Sequence, residues 1–162
     1  GTEVPLDPTQ PLLTLGRLIQ EDLCLMERLG EEYRLTGGIL CFPASWTLHQ
    51  KIGRPLTGIH DPVPVYDQDV AKRVARLFDA IRPDQPLWRM NYLTYDDFVL
   101  HQPRREGEKR PQPTDHVFIR CERQCLLRLP VTKAVVFTIH TYVVDAASVS
   151  PAELAALREA VH

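Results

Sequence analysis

The chain has 162 residues, of which 44% are hydrophobic and 25% charged. This is enough to close one core without staples, and the composition excludes a disordered or fibrous protein. A formal net charge of -2 excludes a general nucleic-acid footprint and a polybasic membrane anchor. No apolar run is long enough to span a bilayer and no signal-peptide pattern is present, so a reduced, cytoplasmic compartment is the simplest assignment.

Residues 1–11 carry Pro5, Pro8 and Pro11 between polar spacers and read as an extended leader to a single domain over 12–162. The opening Gly-Thr-Glu-Val-Pro, without an initiator Met, reads as the start of a trimmed or partly ordered piece. Leu12, Leu13, Leu15, Leu18 and Ile19 fit a short amphipathic helix over 12–20. Two apolar runs, 23–28 and 33–42, flank Gly30-Glu31-Glu32 and predict a β-hairpin, with Gly37-Gly38 marking a bulge or a close approach to the backbone. Ser45 is placed to cap a helix over 46–52. Val70, Val74, Leu77, Phe78 and Ile81 recur at helical spacing against Lys72, Arg73, Arg76 and Asp79, and Pro83 closes that helix.

Strands are predicted over 87–95, 116–124 and 131–144. The intervening 96–115 is crowded with Arg, Lys, Glu, Pro and Gln and reads as a mobile loop whose basic cluster, 104–110, is solvated. Ser150-Pro151-Ala152-Glu153 is a capping box with Pro at the first helical position. Fourteen prolines agree with these abrupt connections. Cys24, Cys41, Cys121 and Cys125 include no Cys-x-x-Cys pair, and most sit in strand-like context as small hydrophobes. The element order predicts an α+β fold with a five-stranded antiparallel sheet, the middle helices on one face and a C-terminal helix. It matches the Per-ARNT-Sim (PAS) fold, in which sheet and helices enclose a ligand pocket.

The stretch 51–66 sets His60 between Gly58 and the prolines Pro62 and Pro64. It reads either as a stiff mount for a metal-binding imidazole or as a surface turn. In the last three strands, alternation puts Arg89 and Asn91 on one face of the first, Arg120, Glu122 and Gln124 on one face of the second, and Thr138, His140 and Tyr142 on one face of the third. In the third strand those residues oppose an apolar row, Val135, Phe137, Ile139 and Val143. Two arrangements are open. These polar residues line the solvent side of a one-sided sheet, or some of them point into a pocket where charges pair with each other or with a ligand.

Seven blocks, in order, resemble one family. They are Gln20-Glu-Asp-Leu-Cys-Leu25, Cys41-Phe-Pro-Ala-Ser-Trp46, Lys51-x-Gly-x-x-Leu-x-x-Ile-His-x-Pro-Val-Pro64, Trp88-Arg-x-Asn91, Arg120-x-Glu-Arg-Gln124, Leu127-x-Arg-Leu-Pro130 and Phe137-Thr-Ile-His-Thr-Tyr142. Together they are similar to the haem-dependent oxidative N-demethylase alpha-subunit-like proteins over residues 12–145. The resemblance implies a PAS-type domain that holds haem b. It implies an O₂-dependent monooxygenase that demethylates a small secondary amine such as dimethylamine and releases formaldehyde, with electrons from NADPH through a flavin and iron–sulfur partner reductase. It makes His60 the axial ligand, adds Lys51 and Asn91 as cofactor-binding candidates, and makes Arg89, Glu122 and His140 the catalytic candidates. The family pattern leads one to expect an arginine where His140 stands and a helical region ahead of residue 12. The alternative for the same fold is a non-catalytic haem or small-molecule sensor. No nucleotide-binding glycine fingerprint occurs in the chain, so NADPH and flavin chemistry is expected elsewhere.

Overall fold

The computed structural model describes residues 3–61, 68–109 and 117–159. A helix, α1 (Pro11–Leu18), precedes the hairpin of β1 (Asp22–Leu29) and β2 (Glu32–Ile39). Two short helices follow, α2 (Leu48–Lys51) and α3 (Leu56–His60), then the long α4 (Gln68–Ala80). Strands β3 (Leu87–Tyr95), β4 (Phe118–Arg128) and β5 (Val135–Asp145) lead to α5 (Pro151–Glu159). The five strands form one antiparallel sheet in the order β2-β1-β5-β4-β3. The last strand in sequence is therefore central, sealed to the first.

The core lies on the face where Cys24, Met26, Tyr33, Leu35 and Val135 meet Phe78 and Ile81. Trp46, Leu48, Leu56 and Ile59 extend it, so α2, α3 and α4 cover this face over β1, β2 and β5. Burial of these apolar groups is the main force that holds the helices to the sheet. Within α4, Phe78 is buried and Val74 packs on the core, whereas Leu77 is exposed, so the buried stripe is narrower than its periodicity predicts. Arg128 closes the C-terminal end of α4 by donating to the carbonyls of Phe78 and Ile81. Helix α1 lies against the opposite face of β1 and β2, where a Cβ on Gly37 would meet Leu12 Cδ1 at 3.4 Å.

The hairpin and the five strands form as expected, as does the capping box, with Ser150 N donating to Glu153 Oε2 at 3.0 Å and Glu153 N to Ser150 Oγ at 3.3 Å. The bulge falls at Thr36, since β1 pairs Leu25 with Gly37 and then Met26 with Leu35. Gly38 is the site of close approach: a Cβ there would lie 3.0 Å from Leu23 O and 3.2 Å from Leu48 Cδ1.

Three local expectations are corrected. Ser45 does not cap a helix: its φ is 62°, its N–H donates to Gln102 O at 2.9 Å, and α2 begins only after Thr47. His60 sits on the last turn of α3, so the helix rather than a turn presents it; Pro62 and Pro64 lie outside the described residues. The stretch 96–109 is not a free loop. Gln102 N donates to Pro43 O at 2.9 Å, Ala44 pairs with Gln102, and Asp97 Oδ1 accepts from Val99 N at 2.7 Å and Gln102 Nε2 at 2.6 Å. Backbone pairing fixes it against 43–45 despite its polar composition. Among the described residues, no helix is long and apolar enough to cross a membrane.

Candidate functional site

The register of β3, β4 and β5 decides which polar rows share a side. Arg89 pairs with Gln124, Asn91 with Glu122, and Glu122 with Thr141. Thr141 in turn has the parity of Val135, Phe137 and Ile139, the row that faces the helices. The polar row of β4 is therefore on the helix-covered side, and the solvent-side arrangement is overturned for Arg120, Glu122 and Gln124, all of which are buried.

Those three side chains form a connected network. Arg120 is 2% exposed and donates from Nη1 to Leu100 O at 2.8 Å, and from Nη2 to Phe42 O at 2.6 Å and Thr141 Oγ1 at 3.2 Å. Its Nε lies 3.5 Å from Glu122 Oε1, an ion pair without hydrogen-bond geometry. Glu122 Oε2 accepts from Gln124 Nε2 at 3.2 Å, and Gln124 Oε1 accepts from Arg89 Nε at 2.8 Å. A second carboxylate stands behind the network: Asp22, 1% exposed, takes the N–H groups of Cys41 and Phe42 on Oδ1 at 2.6 and 2.8 Å. Its Oδ2 finds no hydrogen-bond partner among the described residues. Burial pushes the Asp22 carboxyl above its ordinary range against the pull of those N–H groups and of Arg120, and Glu122 adds to the rise. Two buried carboxyl groups, Asp22 and Glu122, thus flank a single guanidinium held by three hydrogen bonds.

Arg89 and Asn91 share that face but are exposed, on the edge strand β3. Leu87 and Leu93 on the same side are each 38% exposed and give an open apolar ledge at the edge of the sheet. His60 belongs to this neighbourhood, since the charges of Arg89 and Lys51 both bear on its ring. Its Nδ1 lies 2.8 Å from Leu56 O. A carbonyl only accepts, so the proton sits on Nδ1 and Nε2 is the acceptor nitrogen. Burial, opposed by the Leu56 hydrogen bond and aided by Lys51 and Arg89, holds the imidazole below its ordinary proton affinity and in the neutral form.

Lys51 supports this segment from beneath. It is buried, donates from Nζ to Ile59 O at 2.6 Å, and pairs with Glu106, which Arg54 also approaches at 3.3 Å. Glu106 was not legible as part of the site, because it sits within a run of charges that reads as solvated. Arg120, Gln124 and Asp22 were likewise missed as site residues, although the Arg-x-Glu-x-Gln alternation was the signal for two of them.

His140 is not brought to this place. It pairs with Arg123 across β4 and β5, on the face away from α2, α3 and α4, because Glu122 pairs with Thr141 instead. There its Nδ1 lies 3.7 Å from Glu21 Oε1, Arg123 Nη2 lies 3.2 Å from the same oxygen, and the Tyr142 ring is 4.5 Å away.

A five-stranded antiparallel sheet in this order, with short helices over one face and a buried charged network on that face, defines a PAS-like α+β domain. The family model described as "Haem-dependent oxidative N-demethylase, alpha subunit-like" matches residues 1–161, and the chain belongs to that family. The family name speaks of haem, of oxidative demethylation and of a subunit.

The side chains on the helix-covered face fit such a group. Haem asks of its protein one neutral imidazole with its proton held elsewhere, an apolar ledge and a cation for its carboxylates. His60 with Leu56, the ledge of Leu87 and Leu93, and Arg89 are side chains of that chemistry. Among the described residues no group of three or more His, Cys, Asp or Glu could hold a metal ion.

Proposed function

We propose that this chain binds haem b through His60 and acts as an oxidative N-demethylase on a small secondary amine such as dimethylamine. Bound haem would supply a redox-active iron at which O₂ is reduced, with two electrons originating in NADPH and delivered by a flavin and iron–sulfur partner. One oxygen atom would leave as formaldehyde and the other as water. Lys51 and Leu56 hold the imidazole, Lys51 through the Ile59 carbonyl and Leu56 through Nδ1. Arg89 and Asn91 stand at the open edge, where an anionic carboxylate of the cofactor is accommodated. Glu122, buried and tied to Arg120 and Gln124, binds the alkylammonium and keeps its N–H groups oriented.

The observation that carries this reading is the excess of buried carboxylate over guanidinium on the same sheet face that His60 approaches. Reconstitution with haem and an absorption spectrum test it. We expect a Soret band that shifts on adding dimethylammonium, its loss in His60→Ala, and in Glu122→Gln a retained band with amine affinity weakened roughly tenfold or more. A band indifferent to amines would replace the enzyme with a haem sensor, and no band would leave a relative without haem.

A further inference from the structure

We propose that Gln124 is a positioning residue that couples Arg89, on the edge strand, to Glu122, and so transmits the state of the open ledge to the carboxylate that takes the amine. Its consequence for the amine rests on the role given to Glu122 above.

A primary amide has a donor end and an acceptor end, and here each end is answered by a charge. Arg89 Nε–H points at Gln124 Oε1 at 2.8 Å, while Gln124 Nε2–H points at Glu122 Oε2 at 3.2 Å. Turning the amide over would set N–H against guanidinium and carbonyl against carboxylate, two repulsive contacts in a buried place. The two flanking charges therefore fix its orientation. The sheet supplies the spacing, since Arg89 and Gln124 are directly paired across β3 and β4 and Glu122 lies two residues along the same face of β4.

The other end of Glu122 cannot adjust in compensation. Arg120, which faces Oε1, is tied to Leu100, Phe42 and Thr141 on three different segments. Asp22 places a second carboxyl group on the β1 side, and Tyr95 lies beneath the guanidinium with its ring centroid 5.7 Å from Arg120 Cζ. Glu122 thus has one immovable neighbour and one neighbour whose grip depends on Arg89. An anionic group that engages Arg89 draws its Nε–H from Gln124, and the hold on Glu122 Oε2 loosens in turn.

Side-chain ¹⁵N NMR of the Arg89 Nε–H in the full chain, without haem, tests the link. Glu122→Gln, which lies beyond the reach of Arg89, is expected to move the Arg89 signal, and to have no effect on it in a Gln124→Leu background. Dimethylammonium, used as the probe, is expected to move the same signal in the unmodified chain but not in Gln124→Leu, whose affinity for it falls about fivefold to tenfold. Gln124→Met keeps the length of the side chain and removes both the acceptor for Arg89 and the donor for Glu122, so it supplies the same comparison if the leucine variant does not fold. An Arg89 signal that ignores Glu122→Gln, or that responds equally with leucine at 124, overturns the proposal. If calorimetry finds no dimethylammonium binding while the Arg89–Glu122 coupling is present, the amine reading of Glu122 fails and the link stands.

Discussion

Asp22 shows how a single carboxyl sets a pH dependence. Its proton affinity is raised from the ordinary 3.8 by burial, although two N–H groups and Arg120 favour the anion. Below the ordinary value both folded and unfolded chains carry the proton and no cost arises. As pH rises, the unfolded chain releases its proton first, and the folded chain must then hold either a proton it would lose in water or a buried charge. Stability at this residue therefore declines as pH climbs through the raised folded value. Asp22→Asn keeps an oxygen for the Cys41 and Phe42 N–H groups and removes the titration. The urea midpoint of the variant is expected to gain on that of the parent as pH rises from below 3.8, and parallel curves would show that Asp22 does not titrate with a raised proton affinity. At the same scale, the alternation of polar residues in β4 and β5 is legible in the sequence, but which rows share a side is not. The pairing of Glu122 with Thr141 rather than His140 depends on the turn between the strands. A one-residue difference in that turn would have grouped His140 with Glu122, as the strand patterns taken separately invite.

Among the elements, α3 carries the candidate ligand on five residues, and it has no side-chain cap at its N-terminus. An isolated helix of that length does not persist in water, so its order comes from outside it. Leu56 and Ile59 pack on the core, and Lys51 reaches from the end of α2 to the Ile59 carbonyl and to Glu106. Lys51→Met retains the buried stem and removes both polar contacts, which is expected to cost roughly 1–3 kcal/mol. Hydrogen exchange at the Ile59 amide, which otherwise donates to Pro55 O at 2.9 Å, is expected to quicken. Unchanged exchange would show that packing alone holds the helix. The long helix, the hairpin and the strands were readable because each repeats a pattern over enough residues. Helix α2 was readable within 46–52 though not its start, while α3 and the segment that returns past 43–45 were not. Their order rests on contacts to distant residues such as Lys51 with Glu106 and Pro43 with Gln102.

For the molecule as a whole, the sheet order matters more than any one element. Strand β1 is complete only when β5 pairs with it, with Asp22 opposite Ile139 and Cys24 opposite Phe137, over more than a hundred intervening positions. Such non-local pairing makes closing this seam an entropically costly step of folding. The candidate site inherits that dependence. Arg120 on β4 binds Thr141 on β5 and the carbonyls of Phe42 and Leu100, while Asp22 on β1 holds the Cys41 and Phe42 N–H groups. No half of the sheet contains the whole network.

The chain also carries its own chemical clock for that closure. Cys24 sits in the β1–β5 seam, 5% exposed, and burial pushes its thiol up to about 12, with Asp22 adding to the rise. A thiol with that proton affinity has almost no thiolate at neutral pH and is shielded as well, so alkylating reagents reach it only when the seam parts. Cys41, Cys121 and Cys125 are partly accessible and serve as internal standards. Mass-resolved alkylation over time is expected to mark Cys24 last, and sooner once urea begins to separate the first strand from the last.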